Sequence, residues 1–200
     1  IRMVTGVQTC ALPIFRELTK QDAPVLLEIH GDADAMKWFG SDPITRIDQA
    51  EQLVELFASW RNAPSPGIRW GIEDSTANLI GTCGLFKWNR SWKSCSIGFE
   101  LAQAAQRKGF MKEAIIACIR WGLAHMQLNR IDALVHPDNA RSLILLQSIG
   151  FLCEGTLRQA GFWRNSHHDL NQLSLLHSEF NADDVIATTL VPGTHIRPQH

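Results

Sequence analysis

A strand, a basic glycine turn and a long apolar-striped helix follow one another between residues 96 and 126, and this order constrains the fold more than any other feature. Residues 96–101 are mostly apolar, which predicts a strand. From Met111 to Met126 apolar residues recur every three or four positions, which predicts a helix of about four turns. The turn between them consists of Gln106, Arg107, Lys108, Gly109 and Phe110.

This turn has the composition of an anion site. The free N–H groups at a helix start and the positive end of the helix dipole converge on one point, and Arg107 and Lys108 add charge beside it. Gly109 would give the backbone access to positive φ, although a glycine before a helix is more often an ordinary turn. The turn alone therefore indicates a site for a pyrophosphate without establishing it.

Composition limits the partners. The net charge of -1 gives no field that would hold a phosphate polymer, so a nucleic-acid partner is not expected. No apolar run approaches the roughly 20 residues that span a bilayer, and no signal peptide is visible, so no membrane partner is expected either. The cysteines show no metal-binding spacing, which favours a reduced, cytoplasmic protein.

The rest of the chain predicts an α/β (α+β) domain with a mixed sheet. Residues 1–14 have no periodicity and resemble the in-frame translation of a sequencing-library adapter, so we expect a non-native segment there; the alternative is a genuine N-terminal strand. The domain is expected at residues 15–176, and the breaker-rich residues 177–200 are expected to form a flexible tail. Helices are predicted at residues 23–30, 47–61 and 140–149, and strands at 68–73, 79–87, 94–101, 130–136, 151–157 and 169–176.

Several motifs, taken in order, resemble those of the GNAT N-acetyltransferases. Residues 106–111 resemble the acetyl-CoA loop of this family, residues 97–101 its preceding strand, and residues 137–142 its second cofactor motif. Residues 150–158 and 169–176 resemble the elements that close its sheet, and Met111 in the last loop position is similar to the ribosomal-protein-alanine N-acetyltransferase type. The resemblance implies a mostly antiparallel sheet of about six to seven strands flanked by about four helices, with acetyl-CoA as cosubstrate, and a homodimer.

The resemblance also implies which residues hold the cofactor. The loop formed by Gln106, Arg107, Lys108, Gly109, Phe110 and Met111 would hold the pyrophosphate, and the strand at Phe99 and Leu101 would pair with the pantetheine arm. Asn139 would bind the pantetheine, although the residue pattern alone indicates a helix N-cap. Ser142 would lie near the sulfur of the cofactor.

The candidate catalytic residues are Ser142 and Glu100. Many relatives use a tyrosine to protonate the leaving thiolate, but this chain has no tyrosine and carries Leu146 in that position, so Ser142 is the remaining candidate acid. Glu100 is the one acid of the central strand and could line the acceptor cleft as a base; the alternative is a surface carboxylate. His136 is a lesser candidate base.

Two further expectations concern ligands. His167, His168 and Asp169 resemble a metal motif, but neighbouring strand residues face opposite ways, so no metal is expected; Arg164 and His168 could line the acceptor cleft instead. The acceptor is predicted to be a primary amine, foremost the α-amine of a protein N-terminus. A small amine such as a polyamine, amino acid or aminoglycoside is the alternative, and a non-catalytic acetyl-CoA-binding domain is a third.

Overall fold

The computed structural model describes residues 14–181 and shows a single mixed sheet in this part of the chain. Its seven strands are β1 (Ile14–Arg16), β2 (Ile68–Glu73), β3 (Leu79–Asn89), β4 (Ser94–Leu101), β5 (Arg130–Val135), β6 (Leu152–Trp163) and β7 (Ser166–Leu176). Their order is β1-β2-β3-β4-β5-β7-β6. Only the central pair, β4 and β5, is parallel within the described residues.

Four α-helices flank this sheet in the described residues: α1 (Ala23–Gly31), α2 (Ile47–Ser59), α3 (Phe110–Met126) and α4 (Ala140–Gln147). The apolar stripe predicted for α3 is confirmed, since Ile115, Cys118 and Ile119 are fully buried in the main core. That core also takes in Leu85 of β3, Ile97 of β4 and residues of β5, β7 and α4. A smaller apolar cluster lies between α1, α2 and the start of β3.

The α/β fold class is confirmed, and the predicted strands of residues 68–101 form the antiparallel meander β2–β3–β4. The last two strands are longer than predicted. β6 and β7 form one hairpin whose tip residues, Arg164 and Asn165, both have positive φ (51° and 55°). The predicted strands ended at residue 157 and resumed at residue 169. Most of β6 is exposed, so no apolar alternation marks its second half.

The first and last segments of the chain lie mostly outside the described residues. The segment predicted as adapter-derived lies outside the described residues except for Ile14, which pairs with Glu73 as the first residue of β1. The tail predicted from residue 177 begins with one short helical turn, His177–Glu179, and Phe180 packs against the main core. Residues 182–200 lie outside the description.

Candidate active site

A wedge between β4 and β5 is the central feature of the site. The two parallel strands pair only at Ser94 with Arg130, Cys95 with Ile131 and Ser96 with Asp132. Beyond these positions, residues 97–101 pair with β3 alone and residues 133–135 pair with β7 alone. Both strands therefore present an unpaired edge to the gap, as an extended ligand arm between them would require. Phe99 and Leu101, the predicted arm-binding residues, lie on this edge.

The basic glycine turn forms the N-terminus of α3. Gly109 is the N-cap residue with φ 86°, and Arg107 has φ 63°, so two left-handed residues curl the loop. Among the described residues, no acceptor binds the backbone N–H groups of residues 107–111. Successive free N–H groups at a helix start form an anion cradle. The positive φ predicted for Gly109 is confirmed.

Gln106 joins the three parts of the site. Its side-chain Nε2 donates to the carbonyl oxygen of Leu101 at 3.1 Å, at the end of β4. Its Oε1 accepts a hydrogen bond from the guanidinium of Arg141 at 3.2 Å, in the first turn of α4. Because these contacts occupy the amide, Gln106 holds the loop in place between the wedge and α4.

The start of α4 brings Asn139 and Ser142 together. Asn139 Oδ1 accepts a hydrogen bond from the backbone N–H of Ser142 at 3.2 Å, so the N-cap interpretation is confirmed. The Ser142 hydroxyl is half-buried and has no hydrogen-bond partner within residues 14–181. Leu146, in the position where the family resemblance implies a tyrosine, is fully buried in the main core. Ser142 is thus the residue of α4 with an available hydroxyl at this end.

Glu100 lies in a buried ionic cluster and is not the surface carboxylate of the alternative interpretation. Its side chain is 8 % exposed, and it accepts hydrogen bonds from the guanidinium of Arg69 and the hydroxyl of Thr82. His30 Nε2 lies 3.4 Å from Oε1 of Glu100. Burial disfavours the charged form of Glu100 and would raise its pKa. The contacts with Arg69, His30 and Thr82 outweigh the effect of burial, so the pKa of Glu100 is lowered.

This cluster weakens Glu100 as a base, because a carboxylate with a lowered pKa binds a proton poorly. Arg69, Thr82 and His30 were not predicted as part of the site. Arg69 carried a sequence signal, since a charged residue in the middle of an apolar strand requires a buried partner of opposite charge. No contact joins Glu100 to Ser142 in the described part of the chain.

Four aromatic rings meet at the end of β5. His136 stacks on Trp38, with 4.0 Å between ring centroids, and contacts His168 edge-on at 5.4 Å. His168 stacks in turn on Trp163 at 3.8 Å. Trp38 belongs to a short helical turn, Ala35–Trp38, and the other two rings come from the β6–β7 hairpin. The rings form a wall beside the wedge.

Metal binding has no support from this wall. Residues 14–181 contain no group of three or more His, Cys, Asp or Glu side chains placed to hold one metal ion. Asp169 instead accepts a hydrogen bond from the backbone N–H of Gln159 at 2.7 Å. Arg164 is held by the loop after α1, since its backbone N–H donates to Asp42 Oδ1 at 2.7 Å.

The wedge, the anion cradle and the α4 start together define a site for a cofactor with a long arm and a pyrophosphate, as in acyltransferases that use coenzyme A. The sequence profile of the acetyltransferase (GNAT) domain matches residues 14–152. An uncharacterized N-acetyltransferase of Bacillus subtilis (strain 168), YoaA, is 33% identical over 164 residues, 82% of this chain and 92% of that protein. The chain therefore belongs to the GNAT acetyltransferase family, and it is an acetyl-CoA-dependent N-acetyltransferase.

Solved structures share this fold. The spermidine N-acetyltransferase of Vibrio cholerae, in complex with CoA and spermine, superimposes with a TM-score of 0.72 at 23% identity and covers 82% of this chain and 95% of that one. RimJ of Mycobacterium smegmatis, in complex with CoA-disulfide, gives a TM-score of 0.80 at 16% identity over 90% and 93% of the two chains. In the described part of this chain, no helix has the length and apolar character needed to cross a bilayer.

Proposed function

We propose that this enzyme acetylates the α-amine at the N-terminus of a peptide or protein, in the manner of the ribosomal-protein-alanine type that its sequence resembles. The observation that supports this acceptor is the buried Arg69–Glu100 ion pair. Because Arg69 lowers the pKa of Glu100, the one acid of β4 is a weak base. An acceptor that is already partly neutral at the working pH suits such a site.

Amine acidity separates the acceptor classes. An α-amine with a pKa of about 8 is roughly one-tenth neutral at pH 7, whereas a side-chain-type amine with a pKa of about 10.4 is neutral in less than about one molecule in a thousand. Only the neutral amine is a nucleophile. A site with a weak base therefore favours the α-amine, by at most the ratio of these fractions, because the more basic amine is the better nucleophile once it is neutral.

The roles of the residues follow from their positions. The backbone N–H groups of residues 107–111 would bind the pyrophosphate, and the open edge at Phe99 and Leu101 would pair with the pantetheine arm. The cofactor supplies the activated acetyl group as a thioester. The free hydroxyl of Ser142 would donate a proton to the departing sulfur and regain one, directly or through water, from the nitrogen that has attacked the thioester, so that no alkoxide is left. Asn139 fixes the helix turn that carries Ser142.

A polyamine is the second candidate acceptor. The spermidine acetyltransferase of Vibrio cholerae, which has the same fold, favours it. Polyamine amines are of the more basic kind, so their acetylation would require deprotonation that the Arg69-bound carboxylate of Glu100 supports poorly.

The pH profile distinguishes the two acceptors. With a peptide that begins with alanine, we expect kcat/KM to rise about tenfold per pH unit below pH 8 and to level off near pH 8, because the neutral fraction then saturates. With spermidine, it should still rise above pH 9. Release of free CoA thiol, measured with both acceptors from pH 6 to 10, checks this. A higher kcat/KM for spermidine at pH 7.5 would identify the enzyme as a polyamine acetyltransferase.

The role of Ser142 has its own test. In Ser142→Ala we expect kcat to fall about a hundredfold, the lower range for loss of a general acid, while the Kd for CoA stays within about threefold. Ser148→Ala is the matched control, because Ser148 lies just after the same helix and its hydroxyl only donates to the carbonyl oxygen of Leu145. An unchanged kcat in Ser142→Ala would mean that water supplies the proton.

A further inference from the structure

His136 lies beside the open edge of β5. It is the first residue after β5, whose last residues form one side of the wedge, and it is followed by the turn that leads to Asn139. The ring is half-buried. It thus lies between the open edge of β5 and the N-terminus of α4, close in the chain to both.

The tautomer of this ring follows from one hydrogen bond. The backbone N–H of Asp138 donates to Nδ1 of His136 at 3.1 Å, so Nδ1 must be unprotonated and act as an acceptor. In the neutral ring the proton is then on Nε2. No group within residues 14–181 forms a hydrogen bond with Nε2, and this atom is not among the buried unpartnered ones. His136 therefore offers an accessible N–H donor and no free acceptor.

Burial is the main reason that the pKa of His136 is lowered. Asp138 and Asp169 oppose this shift, and His168 and Lys37 add to it. Because the net shift is downward, the ring is neutral above its ordinary titration range near pH 6.5. A neutral ring with Nδ1 occupied cannot accept a proton from the acceptor amine, which excludes His136 as the base.

The ring cannot turn easily, because the aromatic wall holds it from two sides. Trp38 stacks on one face, and the Trp163–His168 pair contacts its edge. Trp163 is anchored in turn, since its indole N–H donates to the carbonyl oxygen of Lys37 at 3.2 Å. The hairpin and the turn before α2 together fix the direction of the Nε2–H bond.

We infer that His136 recognises the first carbonyl group of the acceptor peptide through its Nε2–H. A peptide N-terminus carries a carbonyl oxygen two bonds beyond the carbon that bears its amine, whereas a polyamine carries only amines and methylene groups near the reacting nitrogen. A fixed donor therefore selects the peptide. This inference rests on the proposed acceptor class, and it assigns the residue that recognises that acceptor.

Two variants of His136 distinguish the effect of its N–H donor from the effect of its stacking on Trp38. His136→Phe keeps a ring against Trp38 and removes the N–H, whereas His136→Gln loses the stack and keeps an amide N–H in a similar position. With an alanine peptide, we expect kcat/KM of His136→Phe to fall about three- to tenfold, mainly through KM, as for loss of one neutral hydrogen bond. His136→Gln should retain more activity than His136→Phe. For each acceptor, kcat/KM of the variant is divided by kcat/KM of the wild type at the same pH, so that the neutral fraction of the amine cancels.

Spermidine is the second acceptor in this experiment, and the Kd for CoA with the thermal midpoint reports on folding. The expected result is an unchanged spermidine rate and an unchanged Kd in both variants. Equal losses with both acceptors, or no loss with the peptide, would overturn the role of His136 while the wild-type peptide activity still stands. A wild type that acetylates spermidine but no peptide would instead refute the proposed acceptor, and the inference with it.

Discussion

Replacing Gly109 by valine is expected to weaken CoA binding by at least about thirtyfold. Gly109 has φ 86°, which a β-branched residue adopts only with strain, so the loop of residues 107–111 would change its path. In the proposed role, several backbone N–H groups of this loop would bind one anion, and each hydrogen bond to a charged group contributes about 1.5–3 kcal/mol. Loss of one or two of them gives the expected change, which isothermal titration calorimetry measures.

Gly40 is the matched control for backbone strain. It has nearly the same φ, 89°, and a Cβ built there meets no atom within 4 Å. A Cβ at Gly109 meets only Glu113 Oε1, at 4.0 Å, so the two substitutions are alike in the protein alone. Gly40→Val should therefore lose similar stability and keep its CoA affinity. If both variants keep the affinity, residues 107–111 do not bind the pyrophosphate.

A milder variant refines the result. Asparagine tolerates the left-handed region better than other residues with a Cβ, so Gly109→Asn should keep the loop path at a smaller cost in stability. Any remaining loss of CoA affinity then reports crowding of the ligand by the new side chain. An affinity equal to that of the wild type would show that the need for glycine at this position is conformational.

The elements that the sequence predicted well are those with a strong local pattern. The stripe of α3 and the meander of β2, β3 and β4 follow from apolar periodicity, and the curled loop follows from Gly109. The β6–β7 hairpin was predicted too short, because exposed strands need no alternation of apolar and polar residues. The wedge was expected only from the family resemblance, since strand divergence after three paired positions depends on packing across the whole sheet.

The candidate site shows the same division. The alternation of side chains along β4 predicted the face of the strand on which Glu100 lies. It did not predict the groups that surround the carboxylate, because Arg69, Thr82 and His30 come from other elements. The N-cap at Asn139 was predictable, since its partner Ser142 lies three residues away. For His136, a candidate base by sequence, the hydrogen bond from the N–H of Asp138 to Nδ1 comes from only two residues away, yet it depends on the backbone turn and not on the apolar pattern. For Glu100, contacts with residues distant in sequence decide burial and charge, and local patterns do not encode them.

Replacing Arg69 by methionine is expected to lower the free energy of unfolding by about 3–5 kcal/mol at pH 7.5. Arg69 is 3 % exposed and Glu100 is 8 % exposed, so the substitution leaves an uncompensated charge in the interior. Thr82 would also lose the hydrogen bond from Nε of Arg69, at 2.6 Å. Urea denaturation measures the change. Arg46→Met is the control, because Arg46 and Asp48 form an exposed pair whose loss should leave the free energy of unfolding nearly unchanged.

The pH dependence identifies the buried carboxylate as the cause. In the wild type the pKa of Glu100 is lowered, so from pH 7.5 to pH 4.5 the group stays ionised in the folded protein, and its contribution to stability declines only slightly as the unfolded chain begins to bind a proton near the ordinary pKa of about 4.3. Without Arg69, burial dominates and raises the pKa of Glu100, so the folded variant takes up a proton over this range before the unfolded chain does. The difference between variant and wild type should therefore shrink as the pH falls. When Arg69→Met is combined with Glu100→Gln, the loss in free energy of unfolding should be smaller than in Arg69→Met alone and independent of pH. If the difference between Arg69→Met and wild type does not change with pH, then lost packing, and not the unpaired charge, destabilises the variant.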